Sequence, residues 1–165
     1  MSQAIDIRKV RPSDATAITA IYNPFITDTT VSFETEPLTP AQMLQRIEQI
    51  SAHYPYYVCE IEGQVCGYCY VHPWKERMAY SHTLEVTIYL APLVQGYGVG
   101  RQMLQRLIDD SREIGAKALI ACITEENKHS IHFHRSMGFE QVSHFKNVGY
   151  KFGRMLDVAD FELLL

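Results

Sequence analysis

The sequence has no run of apolar residues near the roughly 20 needed to cross a bilayer, so a membrane-spanning helix is excluded. Basic charge is not in excess either. Against 19 Asp and Glu stand 15 Lys and Arg, a formal net charge of −4. Domains that hold nucleic acid by neutralising phosphates are usually basic, so that class is set aside. Repeats, low-complexity tracts and Gly/Ser linkers are lacking. The first residues, Met1-Ser2-Gln3-Ala4-Ile5-Asp6, have neither the basic nor the apolar segment of an export signal, which points to a cytoplasmic location. At 47% hydrophobic the chain is too apolar to be disordered, and 165 residues suit one domain over residues 1–165.

Cysteine is scarce, with 4 residues: Cys59, Cys66, Cys69 and Cys122. In a reducing compartment these are expected as free, buried, unreactive thiols. Cys66 and Cys69 have C-x-x-C spacing and His72 follows at the same interval. Yet the segment alternates like a strand, where residues three apart face opposite sides, and no second pair completes a zinc site. His129, His132 and His134 also crowd together, but at helical spacing they do not converge. No metal is expected.

The rest of the chain alternates between two periodicities. Ile5–Val10 reads as a strand. Pro12-Ser13-Asp14 opens a helix carrying Ala15, Ile18, Ile21 and Tyr22, which Asn23-Pro24 should stop or kink. Residues 27–37 are expected to be irregular. Thr39-Pro40 starts a second helix with Met43, Leu44, Ile47 and Ile50 on one face. Tyr56–Ile61 and Gln64–Val71 form a hairpin around Glu62-Gly63, and Ser81–Leu90 is a long strand. A helix presents Val99, Met103, Leu104, Leu107 and Ile108 and ends at Gly115. Ala118–Ile123 is a buried strand, Asn127–Met137 a helix ended by Gly138, and Phe139–Phe145 and Tyr150–Asp157 close the chain. The order β-α-α-β-β-β-α-β-α-β-β describes a mixed α/β fold.

One segment suggests chemistry. Gln95-Gly96-Tyr97-Gly98-Val99-Gly100-Arg101 lies between a strand and a helix. Glycines let backbone N–H groups approach an anion, and a helix start adds unpaired N–H groups and a positive dipole end. The same glycines would also serve a tight turn with no ligand. The spacing matches neither the dinucleotide fingerprint nor the phosphate loop of nucleotide hydrolases.

Read as Gln95-x-x-Gly98-x-Gly100, the segment resembles the pyrophosphate-binding signature of the GNAT acetyltransferases. The resemblance extends along nearly the whole chain. Val31–Pro37, Trp74–Tyr80, Thr83–Leu90 and Gly149-Tyr150-Lys151 look like the phosphinothricin and methionine sulfone branch of that family. It implies the GNAT fold, a central mixed and mostly antiparallel sheet flanked by helices, and transfer of acetyl from acetyl-CoA to the α-amino group of a small amino acid or analogue in a ternary complex. A homodimer is implied as well.

By that resemblance Glu85 is the general base, its pKa raised by an apolar surround. His134 stands where many relatives have Tyr and would protonate the leaving thiolate. Gln95, Gly96, Tyr97, Gly98, Val99, Gly100 and Arg101 would hold acetyl-CoA, together with Asn127, Ser130 and the backbone of Ile88, Tyr89 and Leu90, which would pair with the pantetheine arm as an added strand does. Lys75, Glu76 and Arg77 would meet the acceptor with Glu85, Val86 and Thr87, walled by Phe33 and Tyr80; Arg77 would grip a carboxylate. Other amine acceptors (a polyamine, an aminoglycoside, a protein N-terminus) and a non-catalytic CoA sensor are the alternatives.

Overall fold

Period-two alternation sorts the strand side chains into two apolar layers. A computed structural model describes residues 4–165. In chain order it contains β1 (Ile5–Lys9), α1 (Ala15–Thr27), α2 (Pro40–Ser51), β2 (Tyr56–Ile61), β3 (Gln64–Pro73), β4 (Thr83–Leu90), α3 (Val99–Glu113), β5 (Ala118–Thr124), α4 (Lys128–Ser136), β6 (Glu140–Gln141), β7 (Phe145–Lys151) and β8 (Arg154–Leu164). The sheet order is β1-β2-β3-β4-β5-β8-β6, with β7 also on β8. The pairings are antiparallel except β4 with β5. One layer packs Leu84, Val86, Leu119 and Ala121 against Val99, Met103, Leu104 and Leu107 of α3. The other packs Tyr56, Val58 and Tyr68 against Ile18, Tyr22 and Ile26 of α1 and Met43 and Ile47 of α2.

Local chemistry sets the helix ends. The Thr39 hydroxyl accepts from the Gln42 N–H at 3.2 Å while the Gln42 side chain accepts from the Thr39 N–H at 2.8 Å, a reciprocal cap with Pro40 at the first helical position. After α3, Gly115 takes φ 90°, its N–H bonds to Arg112 O, and the Ala116 N–H reaches Ser111 O. Gly138 ends α4 in the same way, at φ 97°. Both positions demand the left-handed region that glycine enters freely.

Three expectations need correction. Pro24 does not stop α1, which runs on to Thr27; the proline removes a single donor, and it sits on the exposed side. The closing strands also differ. Of the first, Glu140–Gln141 pairs as β6 and Phe145 as the start of β7, and the final hairpin joins β7 to a β8 that continues to Leu164. Its two-residue turn is Phe152-Gly153, both at positive φ, and phenylalanine there gives no turn signal. Finally, Cys66 and Cys69 belong to the same layer. The register slips between Cys59 and Glu60, so a bulge at Cys66 resets the alternation.

The pairing of β4 with β5 matters most for function. It spans only Thr83–Glu85 against Ala118–Ile120. Beyond Glu85 the two strands part, and an opening is left in the middle of the sheet.

Candidate active site

The opening between β4 and β5 is a cleft lined by Glu85–Tyr89 on one side and Ala121–Thr124 on the other, with Asn127, Ser130 and His134 of the α4 segment. A second cavity, of about 440 Å³, adjoins it. Tyr22, Val31, Ser32, Phe33, Glu34, Tyr89, Thr124 and Val158 line that cavity. Val31, Glu85, Tyr89, Cys122 and Thr124 line both spaces, so they stand where the two meet.

Glu85 owes its environment to the opposite face from the one its neighbours suggest. Leu84 and Val86 are buried in the α3 layer and Ile88 packs against it. Glu85 points the other way, toward the α1 and α2 side where Tyr89 packs. Burial there, helped by the carboxylate of Asp160, pushes its carboxyl up to about 7. A carboxylate at that value can take a proton near neutral pH.

Cys122 departs from the expectation of burial. It is accessible, but only where the strands part. There the surrounding protein, with Asp160 and Glu85, pushes the thiol up to about 12. The thiolate is the nucleophilic form, so this cysteine is inert despite its position.

His134 is buried, and its Nδ1 lies 2.8 Å from Ser130 O. A carbonyl only accepts, so Nδ1 carries the proton and Nε2 of the neutral ring has none. Burial holds the ring below its usual value, which disfavours the imidazolium. The neutral ring is therefore built to accept a hydrogen bond, and the donor role expected of it lacks a proton.

The glycine segment has the geometry of an anion cradle. Gly96 and Gly98 take φ 87° and 74°, and Gly98 is the residue from which the 15-residue α3 starts. A Cβ on Gly100 would lie 3.3 Å from Leu90 and 3.4 Å from Phe133, so a bare residue lets α3 settle close to β4 and α4. Gln95, Gly96 and Tyr97 are exposed, and Arg101 reaches Ser136 of α4 at 3.3 Å. Asn127 Oδ1 caps α4 by accepting from the Ser130 N–H at 3.3 Å, which leaves its NH₂ group free to donate into the cleft. The cleft and the cradle together suit a long ligand with a phosphate-bearing end and an amide-bearing arm.

The acceptor residues divide. Phe33 lines the second cavity, and Val86 and Thr87 line the cleft. Lys75, Glu76 and Arg77 are exposed on the turn after β3 and line neither space. Tyr80 lies edge-on to Trp74, with the Lys75 amine over both rings.

The sequence reading missed Tyr22, Glu34 and Asp160. Arg46 grips the Glu34 carboxylate at 2.5 and 2.9 Å, and Tyr22 donates to it. The Arg46 contacts, and Tyr22 after them, hold Glu34 below the usual carboxylate range. The Lys151 amine donates to Ser32 O at 2.6 Å. These contacts fix the irregular 28–38 segment as a wall. They join residues far apart in sequence, so no local spacing announces them.

Residues 7–159 match a family described as an acetyltransferase (GNAT) domain. The chain is 35% identical over 163 residues to a phosphinothricin N-acetyltransferase of Streptomyces viridochromogenes, covering 96% of this chain and 89% of the relative. It is also 35% identical to an L-methionine sulfoximine/L-methionine sulfone acetyltransferase of Salmonella typhimurium, covering 96% and 94%. Among solved structures, an acetyltransferase from Salmonella typhimurium with its cofactor acetyl-CoA superposes with a TM-score of 0.95, at 34% identity, over 98% of this chain and 94% of the other.

Proposed function

The chain belongs to the GNAT acetyltransferases, and from that premise we propose that it transfers acetyl from acetyl-CoA to the α-amino group of a small amino acid or analogue, in a complex holding both substrates at once. One observation carries the reading. Where β4 and β5 part, the cleft beside Asn127, Ser130 and His134 meets a second cavity, and Glu85 lines both. Both substrates can then reach one carboxylate from opposite sides.

Bound acetyl-CoA would supply an activated thioester. The N–H groups at the start of α3 hold its phosphates, and the NH₂ of Asn127 and the exposed edge of β4 hold its arm. Glu85 takes a proton from the acceptor ammonium so that the neutral amine can attack. A backbone N–H of the Ile88–Leu90 edge polarises the thioester carbonyl. With Cys122 protonated, no covalent acyl-enzyme is needed. His134 Nε2 accepts a hydrogen bond in the cleft.

The relatives named for phosphinothricin and methionine sulfone support an amino-acid acceptor. By the family resemblance Arg77 is assigned the acceptor carboxylate, which it would meet by swinging in from the exposed turn before β4, since it lines neither space here. Arg77→Ala should raise the acceptor KM about tenfold, the worth of a charge-assisted pair; an unchanged KM removes Arg77 from the site. A second reading draws on the cavity lining, which holds Glu34 and Glu85 and no Lys or Arg among the described residues. That favours a cationic amine without a carboxylate, although Arg46 already neutralises Glu34. A screen of amino acids, polyamines, aminoglycosides and peptides, followed by free-thiol release, decides. Turnover with polyamines or peptides alone would overturn the amino-acid reading, and acetyl-CoA binding without turnover would make the chain a sensor. The same reading holds the enzyme to be a cytoplasmic homodimer, which light scattering and cell fractionation test.

A further inference from the structure

Acetylating an ammonium releases a proton. Of its three N–H protons, one stays on the amide, one ends on the CoA sulfur, and one must reach water. The carboxylate that first takes this last proton is poorly placed to pass it on. The Glu85 side chain is 28% exposed, and it lines the two spaces that the substrates fill.

On the other side of Glu85 lies β3. Three cross-strand pairs share the α1 and α2 face: Tyr68 opposite Tyr89, Tyr70 opposite Thr87, and His72 opposite Glu85. His72 Nε2 stands 4.0 Å from Glu85 Oε2. His72 Nδ1 lies 2.9 Å from Pro73 O, and because a carbonyl only accepts, Nδ1 carries the proton. The nitrogen facing Glu85 therefore presents a lone pair. The His72 side chain is 33% exposed yet lines neither cavity, so its route to water stays open when both are full.

We propose that His72 is the proton exit of this enzyme, a positioning residue that acts through Glu85 by drawing the proton off its carboxyl and releasing it to solvent. The proposal rests on Glu85 being the base. In the first step the ammonium gives its proton to the Glu85 carboxylate. In the second, the carboxylic acid gives it to His72 Nε2 and the carboxylate is restored. In the third, the imidazolium loses a proton to water. The 4.0 Å gap closes to hydrogen-bond length with about 1 Å of side-chain movement, as is common when substrates bind.

The groups around the pair agree with this order. Facing Glu85 are His72 and Tyr70 from β3, Cys122 from β5, Asp160 from β8, Glu34 from the 28–38 segment and Tyr22 from α1. Burial keeps His72 below its usual value. That burial disfavours the imidazolium, so a proton taken up at Nε2, the nitrogen facing Glu85, is passed on to water.

The test compares wild type, His72→Ala and His72→Gln in a dilute buffer free of imidazole, with methionine sulfone and acetyl-CoA. Both variants should lose roughly 10- to 100-fold in kcat, with both KM values within about twofold of wild type. Added imidazole should restore several-fold activity to His72→Ala, in proportion to its neutral form. Gln can still donate to Pro73 O but cannot relay a proton, so its loss should occur with an unchanged melting temperature. Wild-type kcat in either variant, or a loss that imidazole does not relieve, would overturn the relay. No turnover by wild type with any amine would overturn the relay and the proposed function together.

Discussion

Replacing Glu85 with Gln should make the protein more stable and less active, with a pH dependence that the structure fixes. Burial and Asp160 move this carboxyl from its ordinary 4.5 to about 7. The folded chain therefore binds the proton more tightly than the unfolded chain does. The penalty for ionising Glu85 is absent below pH 4.5, grows as pH rises, and is complete above about 7. At ~1.4 kcal/mol per pH interval of one it reaches about 3 kcal/mol, a ceiling because water in the two cavities screens the charge. Gln carries no charge and escapes the penalty. In thermal melts of the two proteins side by side, Glu85→Gln should match wild type at pH 4. By pH 8 it should exceed wild type by up to roughly 10 °C, at 2–4 °C per kcal/mol for a chain of this size. Its kcat should fall about 100-fold or more. The wild type's kcat/KM should decline on the acid side of about 7, and the variant's residual rate should lack that limb. A melting difference that is the same at pH 4 and pH 8, or that favours wild type at pH 8, would refute the reasoning.

Gly149→Ala would place a Cβ 2.2 and 2.6 Å from atoms of the Phe33 ring. Because Phe33 is partly exposed at the cavity rim, the ring should swing aside, so that melting drops by less than about 3 °C while the acceptor KM rises about fivefold; an unchanged acceptor KM would remove the ring from the wall. Gly98→Ala meets no neighbouring atom but forces a side chain to φ 74°. It should cost about 1–2 kcal/mol in urea melts and raise the acetyl-CoA KM, leaving the acceptor KM alone. Arg8 binds Asp14 at 2.9 Å on both oxygens and Glu60 at 2.7 Å. Arg8→Met leaves Asp14 buried without its partner and should destabilise by about 3 kcal/mol at pH 7. Burial works against ionised Asp14, but Arg8 and the Arg11 N–H hold its pKa below the ordinary 3.8. The deficit of the variant should therefore shrink as pH falls below about 4.

Much of the architecture was legible because it rests on local rules. The apolar stripe of α3, the Thr39 cap, and the glycines that end α3 and α4 each follow from residues within one or two turns. The cradle was legible for the same reason. What the sequence obscured was non-local. The final hairpin turns on Phe152-Gly153, a pair without a turn signal. The bulge at Cys66 exists only in the register between β2 and β3. Leu84, Val86 and Ile88 flank Glu85 in sequence, yet they face away from it. The tautomer of His134 depends on a carbonyl one turn back, which only the folded helix brings into range.

By itself the sequence determined the order of elements as far as α4 and the glycine segment at the start of α3, while Glu85 was singled out only through the family resemblance. Tertiary structure alone decided that β4 and β5 stop pairing after Glu85, which opens the cleft between them and exposes Cys122 within it. It also decided the β3–β4 register that sets His72 opposite the base, and the approach of Asp160 from β8. The reason is geometric: a strand's local pattern fixes which side chains share a face, but the separation between strands depends on everything packed around them.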